Sequence, residues 1–132
     1  MQQVALGELI EIASQVLAVD RATARSMMNI PLAESALGAP FAGFGDFERY
    51  PTFNEKVGVL GYRIARNHVL TDGNKRTALL AMIEFVERNG HLFDDADQDD
   101  IGDVMEAAAE GSVSELGFIA WVGEHIKTPS HR

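Results

Sequence analysis

Eleven consecutive residues, Asn67 to Thr77 (NHVLTDGNKRT), bring a histidine, an aspartate, a glycine, an amide and two adjacent cations to the junction of two apolar stretches. A glycine relaxes backbone limits where a helix starts, and the unpaired N–H groups of a helix N-terminus attract phosphate with help from the dipole. Lys75 and Arg76 fall in that first turn, where cations oppose the dipole, so an anion held between them makes sense of their placement. Asp72 is the residue type that holds magnesium on phosphates. Asn74 suits either fixing the loop or touching a phosphate oxygen. His68 carries the side chain type that exchanges protons near neutral pH, which suits a general base for a hydroxyl attacking phosphorus. The same residues also fit a plain loop-to-helix turn with scattered charges, and a histidine at a helix end also serves as a cap or a core residue.

The elements that must position this segment are mostly helical. Val4, Leu6, Leu9, Ile10, Ile12, Ala13, Val16 and Leu17 recur at helical spacing and predict a helix over about 4–18. Asp20 caps a short helix through Met28, and Pro31 suits the first turn of one ending before Gly38. Residues 38–51 (GAPFAGFGDFERYP) break helices but support a loop or short hairpin, the only β segment expected. Thr52 with Glu55 forms a capping box for a helix over about 53–67, and Asn74 to Asn89 carries a broad apolar face closed by Gly90. An Asp-rich segment, 94–100, caps a helix to Glu110. Ser112 with Glu115 forms a further capping box for a last helix to Ile126, with a frayed tail over 127–132. The fold class is all-α, one domain over 1–132.

Composition narrows the function. The 132 residues hold 11 Lys and Arg against 20 Asp and Glu, a net charge of -9, which disfavours direct binding of DNA or RNA through the phosphate backbone. Glu84 to Glu110 contains ten of the acidic residues and one basic residue, so the remainder is neutral, and Tyr62 to Thr77 is locally positive where a triphosphate would bind. Zero cysteines exclude disulfides and thiol chemistry. The longest apolar run, Ala78 to Ile83, is too short to span a bilayer, and the expected location is the cytoplasm. Asp95, Asp97, Asp99, Asp103 and Glu106 approach the spacing of a calcium loop, but Asp100 stands where that loop needs glycine, and a solvated helix N-terminus explains them better. His91, His125 and His131 have no ligand spacing and read as surface residues. Trp121, Phe118 and Ile119 fit a buried face of the last helix.

HVLTDGNKR closely resembles the signature of the Fic/Doc family, and the resemblance extends over about residues 33–90, leaving the first thirty without support. It implies a Fic-like helical bundle with a short β-hairpin flap, about 39–50, ahead of the catalytic loop, 67–77. Carried over by position, His68 is the catalytic base, Asp72 the magnesium ligand, and Gly73, Asn74, Lys75 and Arg76 the phosphate-binding anion hole. The flap would hold a target peptide by strand addition. Phe41, Phe44 and Phe47 are its expected contacts, although loop aromatics also fold back into cores.

Departures from the family pattern suggest a branch. Members that transfer AMP mostly have glycine at Lys75 and a second arginine at Leu79. The lysine version resembles the death-on-curing toxins, which phosphorylate elongation factor Tu. A long cationic side chain fills room that glycine would leave for the nucleotide's phosphates, so the nucleotide would offer γ rather than α phosphorus. Leu70 replaces an aromatic anchor with an aliphatic one. None of the 11 Ser and Thr has Glu four positions on, so the family's self-inhibitory motif is missing and an antitoxin acting in trans is implied. The resemblance therefore implies a toxin kinase using ATP and Mg2+ on a Ser or Thr hydroxyl, with elongation factor Tu as the expected target. The alternatives are transfer of AMP by the same residues, and a non-catalytic peptide-binding regulator.

Overall fold

A computed structural model describes residues 1–129, and His131 lies outside that range. Seven helices form among the described residues: α1 (Leu6–Leu17), α2 (Arg21–Ser26), α3 (Ile30–Gly38), α4 (Phe53–Arg66), α5 (Asn74–Arg88), α6 (Gln98–Glu110) and α7 (Glu115–His125). One buried apolar cluster draws on all of them. The all-α reading is correct. The local signals explain most boundaries: Asp20 accepts from the Thr23 N–H, Asn29 from that of Leu32, and Thr52 and Glu55 cap each other.

Helix α4 is the axis. Val57, Gly58, Val59, Leu60, Gly61, Ile64 and Ala65 are buried along it, and α3, α5, α6 and α7 all pack on it. Two glycines set how closely its neighbours approach. A Cβ on Gly58 would lie 2.9 Å from the Ile119 Cα of α7, and one on Gly61 would lie 2.2 Å from the Met82 sulfur of α5.

The flap is a minimal hairpin, β1 (Gly43–Phe44) against β2 (Phe47–Glu48), with Phe44 opposite Phe47. A second pair was not expected: β3 (Leu92–Phe93) runs antiparallel to β4 (Ile126–Lys127). The last helix therefore stops at His125: Ile126 belongs to a strand rather than to that helix, and Lys127 to the same strand rather than to a frayed tail. Two-residue strands are too short to leave an alternating pattern. The expected Ser112 capping box also fails. Ser114 caps α7 by accepting from the Gly117 N–H, and the Glu115 carboxylate reaches Tyr50 and Arg63 instead. Neither His91 nor His125 is a simple surface residue: His91 stacks on Phe53, and His125 sits against Trp121 and Phe93.

α1 is tied to α5 by charge. Arg88 of α5 donates to both oxygens of Glu8 and to Glu84. These hydrogen bonds, with the Ala5 N–H, hold the Glu8 carboxyl down at about 2 and raise Arg88 above its ordinary value.

Two outcomes follow from this packing. Gly58→Ala overfills the α4–α7 contact and lowers unfolding free energy by about 1–3 kcal/mol in urea titration. A depressed carboxyl stabilises the fold above its unfolded value and loses that contribution as it protonates. Stability is therefore full above about pH 5 and falls as pH drops toward about 2. Glu8→Gln is less stable at neutral pH and has a shallower acid limb, as thermal melts across that range will read.

Candidate functional site

The loop between α4 and α5 is fixed before any ligand arrives. Asn67 ends α4, and His68 then adopts a left-handed φ of 51°, a conformation uncommon outside glycine. Val69 and Leu70 bury their side chains. The Leu70 peptide is held from both sides by one carboxamide: Asn74 Oδ1 accepts from the Leu70 N–H at 2.8 Å, and Asn74 Nδ2 donates to the Leu70 carbonyl at 2.7 Å. The segment between α2 and α3 braces the loop from outside. Asn29 N–H donates to the Val69 carbonyl at 2.7 Å, Thr71 N–H to the Met27 carbonyl at 3.1 Å, and Met28 bridges Leu70.

Gly73 then turns the chain into α5 with φ 77°, the left-handed conformation that favours glycine, while Val16 and Leu17 of α1 pack against its free face. The first intrahelical bond of α5 is made by Thr77 to the Gly73 carbonyl, so the N–H groups of Asn74, Lys75 and Arg76 precede it as open donors at the positive end of the dipole. Gly73's own N–H donates to Asp72 Oδ1 at 2.8 Å.

These groups open onto one cleft of about 900 Å³, lined by Arg66, His68, Asp72, Gly73, Asn74, Lys75 and Arg76. The structure thus gathers the residues expected of the site on one cleft, and for Asn74 it shows the loop-fixing alternative. The Asn74 side chain fixes the Leu70 peptide, while its backbone N–H stays open at the start of α5. Leu70 fills the core as expected of an aliphatic anchor, and Leu79 faces a neighbouring groove with Ile101, Gly102 and Met105.

The flap aromatics divide. Phe44 and Phe47 are 80% and 57% exposed and pack on each other in a tilted pair at 5.5 Å, whereas Phe41 folds inward, edge-on to Phe85. Phe41 is therefore a core contact, because it belongs to the 3-10 turn Ala39–Phe41 that packs on α4.

The positive balance expected around the loop is also revised. Arg66 lines the cleft, but Arg63 is turned to Glu115 at 2.9 Å, which raises it above its ordinary value. From the opposite wall α6 brings Glu106 and Glu110. Glu106 pairs with Lys75, and that hydrogen bond holds its carboxyl below the ordinary range. Among the described residues Arg66 and Arg76 have no carboxylate partner. The acidic wall was visible in the sequence as charge but not as a neighbour of the loop, since thirty residues separate them. Val16 and Leu17 showed only helical spacing. Glu106→Gln removes the competitor for Lys75. In low-salt calorimetric titration it binds tripolyphosphate a few-fold more tightly than wild type, and an unchanged affinity would mean that Lys75 is free of Glu106 in solution.

The comparisons with known proteins agree with this geometry. The model of the Fic/DOC family matches residues 4–86, so the match includes most of the first thirty residues. The Toxin Doc of Mycolicibacterium smegmatis is 39% identical over 79 residues, which is 59% of this chain and 61% of that protein. The chain thus aligns with about three fifths of that relative's length. With a family match across most of the chain and the motif residues assembled on one cleft, the protein belongs to the Fic/DOC family.

Proposed function

We propose that the chain is a toxin of the death-on-curing branch that moves the γ-phosphoryl group of ATP onto a Ser or Thr hydroxyl of a protein target, with elongation factor Tu as the first candidate. The observation that carries this reading is the convergence of an open helix N-terminus, Lys75, Arg76 and an exposed His68 on one cleft. The triphosphate would lie on the N–H groups of Asn74, Lys75 and Arg76, with Arg66 and Arg76 as clamps. His68 would take the proton of the target hydroxyl as its oxygen bonds to γ phosphorus and the bond to the β–γ bridging oxygen breaks, releasing ADP.

Asp72 fits a magnesium ion. It is exposed on the cleft, only one of its oxygens is engaged by Gly73, and magnesium takes one or two protein carboxylates with phosphates and water completing the set. Bound there, the ion offsets phosphate charge. The exposed pair Phe44 and Phe47 offers the target an aromatic contact.

The name of the similar Mycolicibacterium protein supports the toxin reading. An antitoxin acting in trans follows from the missing self-inhibitory motif. The site of action is the cytoplasm, where translation factors work, and no helix among the described residues is long and apolar enough to cross a membrane. Transfer of AMP is the second reading. It is favoured by the Lys75–Glu106 pair, which engages the ammonium that the kinase reading assigns to the phosphates.

Incubation with elongation factor Tu and ATP labelled separately at the α and γ positions separates the two. The expected outcome is γ label on the target and none from α. His68→Ala should lower transfer by about 10²–10⁴-fold and relieve growth arrest. Label from the α position would replace phosphoryl transfer with nucleotidyl transfer, and growth arrest by His68→Ala at wild-type strength would mean that toxicity is not catalytic.

A further inference from the structure

Lys56 is the one buried cation among the described residues, 3% exposed in the first turns of α4. Both its burial and its place near the positive end of a helix dipole are unfavourable, so its partners must compensate. All of them come from the flap region. Lys56 Nζ donates to the Pro40 carbonyl at 3.3 Å, to the Tyr50 carbonyl and to Glu48 at 3.0 Å, and it lies 5.5 Å from the centre of the Phe41 ring. An ammonium has three donors, and all three are used here.

Pro40 and Tyr50 are the two ends of the flap. A single charged group therefore closes its neck, and the carboxylate that pairs with it comes from β2. Two further bonds continue the closure: Arg49 N–H donates to the Ala42 carbonyl at 3.0 Å, and the Tyr50 hydroxyl donates to Glu115 at 2.9 Å. The tip has no comparable support, since Phe44 and Phe47 contact each other and solvent. A hairpin of two-residue strands is not stable alone, so its shape must be imposed from the neck. An apolar side chain of Lys56's size would fill the same space but leave the Pro40 and Tyr50 carbonyls without a donor.

We infer that Lys56 is a positioning residue for the protein substrate: it presets the flap so that a target segment meets an already ordered edge with Phe44 and Phe47 outward. This rests on the proposed modification of a protein hydroxyl. Pre-ordering spares the target the ordering of the loop on binding, so Lys56 governs capture of the protein substrate and leaves the nucleotide site, at the far end of α4, unaffected.

Hydrogen exchange of the full chain tests the positioning without substrate. Lys56→Met should speed exchange of amides in 42–49 by about tenfold or more while α5 amides keep wild-type rates. In steady-state transfer the same variant should raise KM for the protein target by about tenfold, with KM for ATP unchanged. The chain has no cysteine, so Lys56→Cys can be alkylated in denaturant with 2-bromoethylamine and refolded, which regenerates a lysine-length ammonium. That product should return both readouts to wild type. Glu48→Ala, on the exposed strand, should shift flap exchange in the same direction and does not depend on refolding a buried site. Unchanged flap exchange in Glu48→Ala and in folded Lys56→Met, or an equal rise in KM for ATP, overturns the inference. Lack of transfer to elongation factor Tu by wild type would instead count against the proposed reaction, and the exchange result would stand apart from it.

Discussion

The grip of one carboxamide on one peptide unit decides what the cleft can be. Asn74 takes both polar groups of Leu70 while standing in the first turn of α5, so the loop is bolted to the helix that follows it. Leu70 is buried and braced by residues 27–29 between His68 and Asp72, and Gly73 turns left-handed to enter α5. One Nδ2 hydrogen and the Oδ1 acceptor are used in this way, so the side chain's first task is to fix the loop. The division of labour is physical: side chains shape the loop, and backbone N–H groups with Lys75 and Arg76 face the solvent.

The second constraint is the charge facing that loop. A chain with a net charge of -9 keeps its cations at the cleft by pairing others elsewhere: Arg63 with Glu115, Arg88 with Glu8 and Glu84, Lys56 with Glu48. Glu106 then answers Lys75 across the gap. The cleft is thus nearly balanced before a ligand arrives, and a polyanion must separate Lys75 from α6 to use it. Under the proposed function, such a wall would disfavour indiscriminate binding of phosphates and admit one that Arg76 and the α5 N-terminus also hold.

Much of this was readable from the residues. Helical periodicity located α1, α4 and α5 to within a few residues, and the motif grouped His68, Asp72 and the α5 N-terminus, which line one cleft, because they are neighbours in sequence. What escaped was everything set by tertiary proximity. The β3–β4 pair joins segments more than thirty residues apart and is too short to show a period. Glu115 looked like a capping residue for Ser112, yet Tyr50 and Arg63, distant in sequence, claim it. Phe41 carried the same signal as Phe44 and Phe47, and only the 3-10 turn beneath it sends its ring inward. Lys56 was hidden in a helix whose neighbours are apolar. A charged residue on such a face was the available signal, and its meaning depends on a loop that returns to cover it.

The orientation of the nucleotide is the centre of the proposal, and a crystal structure of the wild-type chain with magnesium and a non-hydrolysable ATP analogue tests it most directly. The expected result places the β and γ phosphates on the N–H groups of Asn74, Lys75 and Arg76, with Lys75 released from Glu106 and γ phosphorus facing His68. Lys75 still paired with Glu106, with α phosphorus facing His68, would contradict phosphoryl transfer.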